Sequence, residues 1–234
     1  IYNVPVSKSF VSQTSDDTIE DTTQIIASDV SKIEALPVIM YDTDVGFGYG
    51  AKAFFLNQLN TNESIDLILF NSTKGERWYR FVFSIPDFEL RQQKVYPVSF
   101  DFTIDYDKMI KNNFFGVGAN SKFDDREYYT KEPVDISLNV GRGFAKSIVG
   151  QFGLRYKSIK NYNYDPSGQL TKMQTSFKSD YVYFTSAFVT LRYDTRNSFI
   201  NPSKGFYASC DAEFANLNVK SNVNFIRWSS VVQY

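Results

Sequence analysis

The stretch Val98-Ser99-Phe100-Asp101-Phe102-Thr103-Ile104-Asp105-Tyr106 alternates apolar and polar side chains without interruption. Because side chains in a strand repeat with a period of two, this stretch predicts a β-strand with one apolar and one polar face. The same alternation recurs at 134–140 and 206–214, with weaker copies at 47–55, 65–70, 81–85, 152–156, 187–193 and 223–225. Turns or polar loops separate nearly all of these segments, which predicts an all-β, antiparallel meander of about ten strands.

The alternation alone fits two architectures, because a soluble β-sandwich and a membrane barrel both have one apolar and one polar face. Strands of about nine to eleven residues favour the barrel, since a tilted strand needs this length to cross the hydrocarbon layer. The polar face also carries full charges within strands, as a wet lumen permits. These charged residues are Asp101, Asp105, Arg155, Arg192, Asp211 and Glu213.

Aromatic residues make up 17% of the chain and crowd the ends of the predicted strands. This placement is typical of aromatic belts at the two membrane interfaces, where a ring lies in apolar surroundings and its polar tip reaches water. The sequence therefore predicts an antiparallel transmembrane β-barrel, with the soluble sandwich as the alternative. The residues assigned to the belts are Tyr41, Trp78, Tyr79, Tyr96, Tyr106, Tyr128, Tyr129, Tyr156, Tyr181, Tyr183 and Trp228.

The composition excludes several functions. No run approaches the ~18 consecutive apolar residues of a transmembrane helix. The net charge of −1, without a basic stripe, argues against nucleic acid as a partner. Histidine is absent, which rules out a Ser-His hydrolase within this chain. The acidic residues at 42–44, 105–107 and 124–125 lack the spacing of a calcium loop, so we expect no catalytic residue, no metal and no cofactor.

The composition also divides the chain. Residues 1–36 are rich in Ser, Thr and Asp, and we interpret them as a polar periplasmic extension before a barrel at residues 37–234. Short links at 42–44, 60–63 and 74–76 contrast with the long segments 108–127 and 160–180. Outer-membrane barrels keep short turns on the periplasmic side and longer loops outside, so connector length is a guide to orientation.

The most specific motif is Leu191-Arg192-Tyr193-Asp194-Thr195-Arg196-Asn197-Ser198-Phe199-Ile200-Asn201-Pro202-Ser203-Lys204-Gly205-Phe206. It predicts a strand end, a tight turn and a strand start. Asp194 and Arg196 alternate with the apolar residues, which places both on the lumenal side. Pro202 fixes φ within the turn, and Gly205 can adopt the positive φ that begins the next strand.

This motif resembles the bacterial surface antigen family, whose BamA/TamA-like barrels assemble or translocate proteins at the outer membrane. Two glycine-rich segments are similar to the same family. The first, at 37–50, looks like the opening hairpin of the family, with Gly46, Gly48 and Gly50 in its second strand. The second, at 113–120, carries Gly116 and Gly118 after a long strand. The resemblance covers residues 37–234.

The sequence departs from the family in three ways. Residues 1–36 are too few for the periplasmic POTRA domains that protein-assembling members carry. No Arg-Gly-Phe motif follows the Asp-x-Arg turn, and the letters at 141–144 precede the turn within an amphipathic strand. The family has sixteen strands, so we expect that the barrel is incomplete at the C-terminus, with a complete ten-stranded barrel as the alternative.

The resemblance implies a protein that is not an enzyme and that assists the assembly, insertion or translocation of proteins at the bacterial outer membrane. Its partners would be the lipid bilayer and unfolded outer-membrane client proteins. Asp194 and Arg196 would anchor a lumenal network that stabilises the turn. Two alternatives remain open: a passive pore or surface antigen, and a barrel that anchors an enzyme domain encoded elsewhere in the gene.

Overall fold

A computed structural model describes residues 31–119, 121–177, 181–198 and 201–233. The predicted extension therefore lies outside the described residues as far as residue 30. One ten-stranded sheet dominates the described part of the chain. No helix among these residues is long and apolar enough to cross a membrane.

The ten strands are β1 (Lys32–Asp42), β2 (Gly46–Leu56), β3 (Ser64–Ser72), β4 (Arg77–Ile85), β5 (Tyr96–Phe114), β6 (Glu127–Ala145), β7 (Ile148–Tyr162), β8 (Tyr181–Asp194), β9 (Tyr207–Ala215) and β10 (Phe225–Gln233). Short 3₁₀ helices lie at Glu89–Arg91 and Phe123–Asp125, and the helix α1 covers Gln169–Phe177.

Each strand pairs antiparallel with the next, in the order β1 to β10, which confirms the predicted meander. The connectors therefore fall at two ends of the sheet. The proximal end carries the connectors 57–63, 86–95, 146–147 and 195–206, and the distal end carries 43–45, 73–76, 115–126, 163–180 and 216–224. Short connectors occur at both ends, so connector length does not separate the two ends as the sequence analysis expected.

The two faces of the sheet differ in the way that the alternation predicts. The strand registers place apolar side chains such as Leu138, Phe152 and Leu191 on one face, where they remain exposed. On the other face, Ser137 and Glu213 are buried. We call these the apolar face and the polar face. A soluble protein buries its apolar side chains, so this reversed distribution excludes the soluble sandwich and is the one expected of a sheet that faces lipid.

Strand lengths vary across the sheet. β5 and β6 each have 19 residues, whereas β3 and β4 each have 9. At about 3.3 Å per residue, the β5–β6 hairpin is roughly twice as long as the β3–β4 hairpin. Register irregularities between Met109 and Asn112 interrupt the pairing of the long strands near their distal end.

β1 begins at Lys32 and therefore extends N-terminal to the boundary expected at residue 37. Residues 32–36 pair in register with β2, where Lys32 lies opposite Leu56 and Leu36 lies opposite Lys52. Their composition looks polar because Lys32 and Glu34 both lie on the polar face and form an ion pair of 2.6 Å with each other. These residues belong to the sheet and not to a separate extension.

Three residues assigned to the aromatic belts lie off the apolar face. Tyr129 has the same parity on β6 as Lys131 and Asp135 of the polar face. The Trp78 indole points to the polar face, where its Nε1 donates a 3.1 Å hydrogen bond to Asp105. Tyr96 is 1% exposed and packs against Gly143 at the proximal end. Tyr79 and Tyr106 do lie together on the apolar face, with stacked rings 5.5 Å apart between centroids. Position at a strand end gives the depth of a ring, but the register decides its face.

Candidate functional site: the polar face and the β8–β9 turn

The β8–β9 turn is fixed by the pair that the sequence singled out. The Arg196 guanidinium donates two hydrogen bonds to the Asp194 carboxylate, from Nε to Oδ1 at 3.0 Å and from Nη2 to Oδ2 at 2.8 Å. The Arg196 backbone N–H also donates to Asp194 Oδ1 at 3.0 Å. The Asp194 backbone N–H donates to the Ser147 carbonyl at 2.8 Å, which ties the turn to the β6–β7 connector. The register places Asp194 at the end of the polar row of β8, on the same face as Ser186.

Further side chains close the same turn. Asn197 Oδ1 accepts hydrogen bonds from the backbone of Ser203 at 3.0 Å and of Lys204 at 3.2 Å. Gly205 has a φ of +109°, and a Cβ there would lie 2.5 Å from the Thr195 carbonyl oxygen, so only glycine fits. Asx contacts of this kind and a left-handed residue are typical of tight turns.

The turn borders a cleft of about 480 Å³. Arg196, Pro202 and Gly205 all line it, so the structure brings these predicted residues together. The remaining lining comes from Ser203 and Lys204 and from Gln233 on β10. The Arg196 guanidinium also lies 4.3 Å from the centroid of the Tyr207 ring, so Arg196 connects the turn to both flanking strands.

The connector 86–95 contacts this turn across the polar face, which sequence reasoning missed. The side-chain amides of Gln92 and Gln93 both donate to the Arg196 carbonyl, at 3.3 Å and 2.5 Å. The Phe88 ring lies between the guanidinium groups of Arg91 and Arg192, 5.8 Å and 5.5 Å from its centroid. The connector between β4 and β5 therefore contacts β8 and the β8–β9 turn, which are distant from it in the strand order.

A buried ion pair anchors this connector. Arg91 is 3% exposed, and its Nη1 donates to Asp101 Oδ2 at 2.9 Å while Nη2 binds Oδ1 of the same carboxylate. Its Nε donates to the Pro86 carbonyl at 2.7 Å. A planar guanidinium matches a carboxylate with two parallel hydrogen bonds, so the pair fixes orientation as well as charge. Asp101 was predicted on the polar face, but no local pattern pointed to Arg91 as its partner.

A second charge cluster lies on β6 to β10. Glu213 is 4% exposed and accepts a 2.6 Å hydrogen bond from the Ser186 hydroxyl. Arg155 lies 3.4 Å from Glu213 and 3.2 Å from Asp135, and Arg227 approaches Glu213 to 2.5 Å. Charges on β6, β7, β9 and β10 therefore pair across the polar face.

The glycines of β2 make room for a bulky neighbour. A Cβ at Gly50 would lie 2.1 Å from the Leu69 carbonyl oxygen, so the backbones of β2 and β3 approach too closely for any other residue. A Cβ at Gly48 would lie 2.5 Å from the ring of Phe70, which covers this position and is 7% exposed. Gly46 begins β2 with a positive φ.

The other two predicted glycines lie in the distal connector 115–126. Gly116 and Gly118 both have a φ of +96° directly after β5 ends at Phe114. A Cβ at Gly118 would meet no atom within 4 Å, so this glycine serves the backbone turn and not a close contact. These glycines and the β8–β9 turn therefore lie at opposite ends of the sheet.

The β2–β3 connector is a second ordered feature that the sequence did not reveal. Glu63 is 1% exposed, and its carboxylate accepts hydrogen bonds from the backbone of Leu59 at 2.7 Å and the Thr61 hydroxyl at 2.7 Å. Burial raises the pKa of Glu63, but these hydrogen bonds outweigh it and leave the pKa below 4.5. Asn57, Asn60 and Asn62 have positive φ around this carboxylate.

The sheet has two free edges within the described residues, since β1 pairs only with β2 and β10 only with β9. Nearly every side chain of β1 is exposed, including Ile39 at 72%. Pro37 lies in the middle of β1, and proline lacks the N–H that a central strand would need. In the same described part of the chain, no group of three or more His, Cys, Asp and Glu side chains could hold a metal ion.

Comparison with known proteins agrees with this architecture. The Omp85 superfamily domain matches residues 57–234. Among solved structures, BamA from Haemophilus ducreyi lacking POTRA domains 1–3 has a TM-score of 0.55 and 16% sequence identity, covering 86% of this chain and 36% of that chain. This chain thus spans about a third of the length of that structure. None of the curated proteins matches it.

A long antiparallel meander with an exposed apolar face and an ion-paired polar face defines a transmembrane β-barrel of the outer-membrane type. The polar face is then the lumenal side of the barrel. The chain belongs to the Omp85 superfamily. The predicted fold and the predicted resemblance to BamA/TamA-like barrels are both confirmed.

Proposed function

We propose that this protein lies in the bacterial outer membrane and assists the assembly, insertion or translocation of client proteins there. Membership of the Omp85 superfamily supports the proposal. The single observation that carries it is Pro37 in the middle of β1, because proline lacks a backbone donor and so weakens the pairing of β1 with any strand beside it. An unpaired strand edge in lipid costs several kcal/mol per polar group, so the edge favours pairing with another strand.

β1 is suited to exchange partners. Pro37 removes one backbone donor from the strand, which weakens any ladder that uses that position. On the polar face of the β1–β2 hairpin, the side chains of Phe70 and Met40 occupy the space beside Gly48. A client strand that adds to β1 by β-augmentation would gain main-chain hydrogen bonds without a nucleotide.

The rate of client insertion tests this proposal. The full-length protein is folded into liposomes, and folding is checked by heat-modifiable gel mobility. An unfolded outer-membrane barrel protein is then added, and its folding rate is compared with that in empty liposomes. The proposal expects faster folding; a folded protein that leaves the rate unchanged contradicts it.

Site-specific cross-linking tests the role of the edge. In a Cys210→Ser background, Ile39→Cys places a thiol on β1, and Ile104→Cys places one on the apolar face of β5 as the matched control. A cysteine-bearing client should form disulfides with the β1 position during insertion and not with the β5 position. Equal cross-linking at both positions would indicate random collision and remove the role of the edge.

A passive pore is the second candidate, because the polar face carries the charges that a water-filled channel uses. The connector 86–95 argues against a wide pore, since it lies across the polar face and binds the Arg196 carbonyl through Gln92 and Gln93. Release of a fluorescent solute from the same liposomes distinguishes the two. Release without faster client folding would support the pore.

A further inference from the structure

The apolar face changes character at its distal end, where a row of tyrosines crosses the middle strands. Tyr79 on β4 stacks with Tyr106 on β5. The hydroxyls of Tyr156 on β7 and Tyr181 on β8 lie 3.5 Å apart. Rings that present hydroxyls at one level on the lipid-facing side mark the interface between hydrocarbon and headgroups.

A basic cluster lies directly beyond this tyrosine row, on the same face. Arg77 on β4 and Lys108 on β5 are register neighbours, two positions past Tyr79 and Tyr106. Lys160 on β7 occupies the register position opposite Glu132 on β6. We call Arg77, Lys108 and Lys160 the distal basic cluster. It lies at the depth of the headgroups, where long cationic side chains reach phosphate while their stems stay in apolar surroundings.

Glu132 is the carboxylate at the centre of this cluster, and tyrosines already occupy its oxygens. The Tyr106 hydroxyl donates to Oε1 at 2.6 Å, and the Tyr162 hydroxyl donates to Oε2 at 2.8 Å. Lys108 and Lys160 are close enough to interact electrostatically with the carboxylate. No ion pair joins any of the three cations to a carboxylate among the described residues. The cluster therefore keeps a net positive charge.

The polar face of β7 shows the contrast. Lys157, on the same strand as Lys160 but on the other face, pairs with Asp135 at 3.0 Å. Arg155 pairs with the same carboxylate at 3.2 Å. Lys157 and Arg155 thus form ion pairs within the protein, whereas the distal basic cluster has three cations and one carboxylate, Glu132, which is already hydrogen-bonded to two tyrosines. The counterion that the membrane offers at this depth is a phosphate group of a lipid headgroup.

We infer that the distal basic cluster binds the phosphate of an anionic membrane lipid, with Arg77, Lys108 and Lys160 as its ligands and the tyrosine row packed against the top of the acyl chains. The inference requires only a membrane barrel and is independent of any effect on client proteins. The guanidinium of Arg77 offers two donors to one phosphate, and the lysines add point charges.

Lipid selectivity tests this inference. The full-length protein is folded into phosphatidylcholine liposomes that contain traces of spin-labelled phosphatidic acid or spin-labelled phosphatidylcholine. The motionally restricted fraction of each label gives its relative association with the protein. We expect phosphatidic acid to be preferred, and the triple variant Arg77→Gln, Lys108→Gln, Lys160→Gln to lower this preference by roughly fivefold or more.

Two control variants and one competitor keep the test specific. Lys157→Gln removes a lumenal charge from the same strand and should leave the preference unchanged, as should the charge-retaining pair Lys108→Arg, Lys160→Arg. Heat-modifiable mobility confirms that each variant is folded. The inference is overturned if the wild type shows no preference, or if the folded triple variant keeps it. Suppression by inorganic phosphate but not by sulfate at equal ionic strength would assign the cluster to free phosphate and overturn the lipid proposal.

Discussion

The β8–β9 turn and the β1–β2 hairpin are both strand connections, yet they are stabilised in different ways. At the β8–β9 turn, Asp194 and Arg196 form a two-point ion pair, and connector 86–95 binds the turn from across the sheet. At the β1–β2 connector, Asp42 accepts hydrogen bonds from the backbone of Asp44 at 2.7 Å and Val45 at 3.3 Å. Its contacts with distant residues are at the surface: Lys111 pairs with Asp44 at 2.5 Å, with side chains 36% and 51% exposed. Distant residues contact both connections, but the ion pair of the β8–β9 turn is largely buried, with side chains 15% and 10% exposed, whereas that of the β1–β2 connector is exposed.

This difference separates a fixed region from an exchangeable one. Ion pairs among buried groups resist opening, because separating the partners leaves an uncompensated charge. Strand pairing at a sheet edge can be exchanged for pairing with another strand at little net change in hydrogen bonds. The comparison predicts that charge removal harms the region around β4, β5 and β8, whereas the region of β1 to β3 responds to the space available for side chains.

The largest effect is expected from Arg91→Ala. This change leaves the Asp101 carboxylate without its bidentate partner on a protein face with little water, at a cost of about 3–5 kcal/mol. The free energy of unfolding is measured by urea titration of the protein folded in detergent, with gel mobility as the readout. Arg91→Lys keeps the positive charge but cannot form the two parallel hydrogen bonds, so its loss of stability should be intermediate. An Arg91→Ala variant as stable as the wild type would contradict the prediction that the region around β4, β5 and β8 depends on its buried ion pairs.

Asp194→Ala should be the next most harmful change. Arg196 would lose both side-chain contacts with the carboxylate, and we expect a loss of roughly 2–3 kcal/mol in the same urea titration. The matched control is Lys52→Ala in the region of β1 to β3, where the Lys52–Asp66 pair at 3.2 Å is much more exposed. Exposed pairs contribute about 0–1 kcal/mol. Equal losses for the two variants would mean that the turn pair has no special role.

Gly50→Ala tests whether the region of β1 to β3 depends on the space available for side chains. The added Cβ meets the Leu69 backbone carbonyl at 2.1 Å, so β2 and β3 must move apart. We expect a loss of about 1–3 kcal/mol from this overpacking. The control Ala51→Val adds atoms at the next position, which points to the exposed apolar face, and should change stability by less than about 0.5 kcal/mol. If both variants are neutral, the close approach of the two strands is not required.

The smallest effect concerns Glu63, the buried carboxylate of the β2–β3 connector. Its pKa is lowered in the folded state, so its stabilisation is complete above the unfolded value near 4.5 and is lost as the pH falls through the folded pKa. Glu63→Gln should lower stability by about 1 kcal/mol at neutral pH. The difference from the wild type should shrink below pH 4.5, when unfolding is measured across a pH series. A difference that persists unchanged in acid would contradict the assigned role of the charge.

Much of the fold could be predicted because alternation in a strand is a local property. The stretch at 98–106 became the centre of β5, and the predicted charges Asp101 and Arg155 lie on one face. The pairing of Asp194 with Arg196 also follows from local spacing. Alternation in the sequence therefore predicted which face a side chain occupies where a strand is uninterrupted.

The rest depends on contacts between distant residues. Phe88, Arg91 and Gln93 lie in a connector without periodicity, and their partners are on β5, β8 and the β8–β9 turn. Nothing in the local sequence distinguishes them from solvated loop residues. Trp78 shows the converse limit, because its position at a strand end predicted the interface while its hydrogen bond to Asp105 places it on the polar face.

The length of β5 and β6 has a practical consequence. Each strand has 19 residues, which at about 3.3 Å per residue gives roughly 60 Å. Even with a tilt of about 45°, such a hairpin rises roughly 40 Å, well beyond a hydrocarbon layer of about 30 Å. The connector 115–126 therefore lies outside the bilayer, at the end of this two-stranded hairpin. A peptide tag or a foreign epitope grafted there would be displayed in water without any change to the part that lipid surrounds.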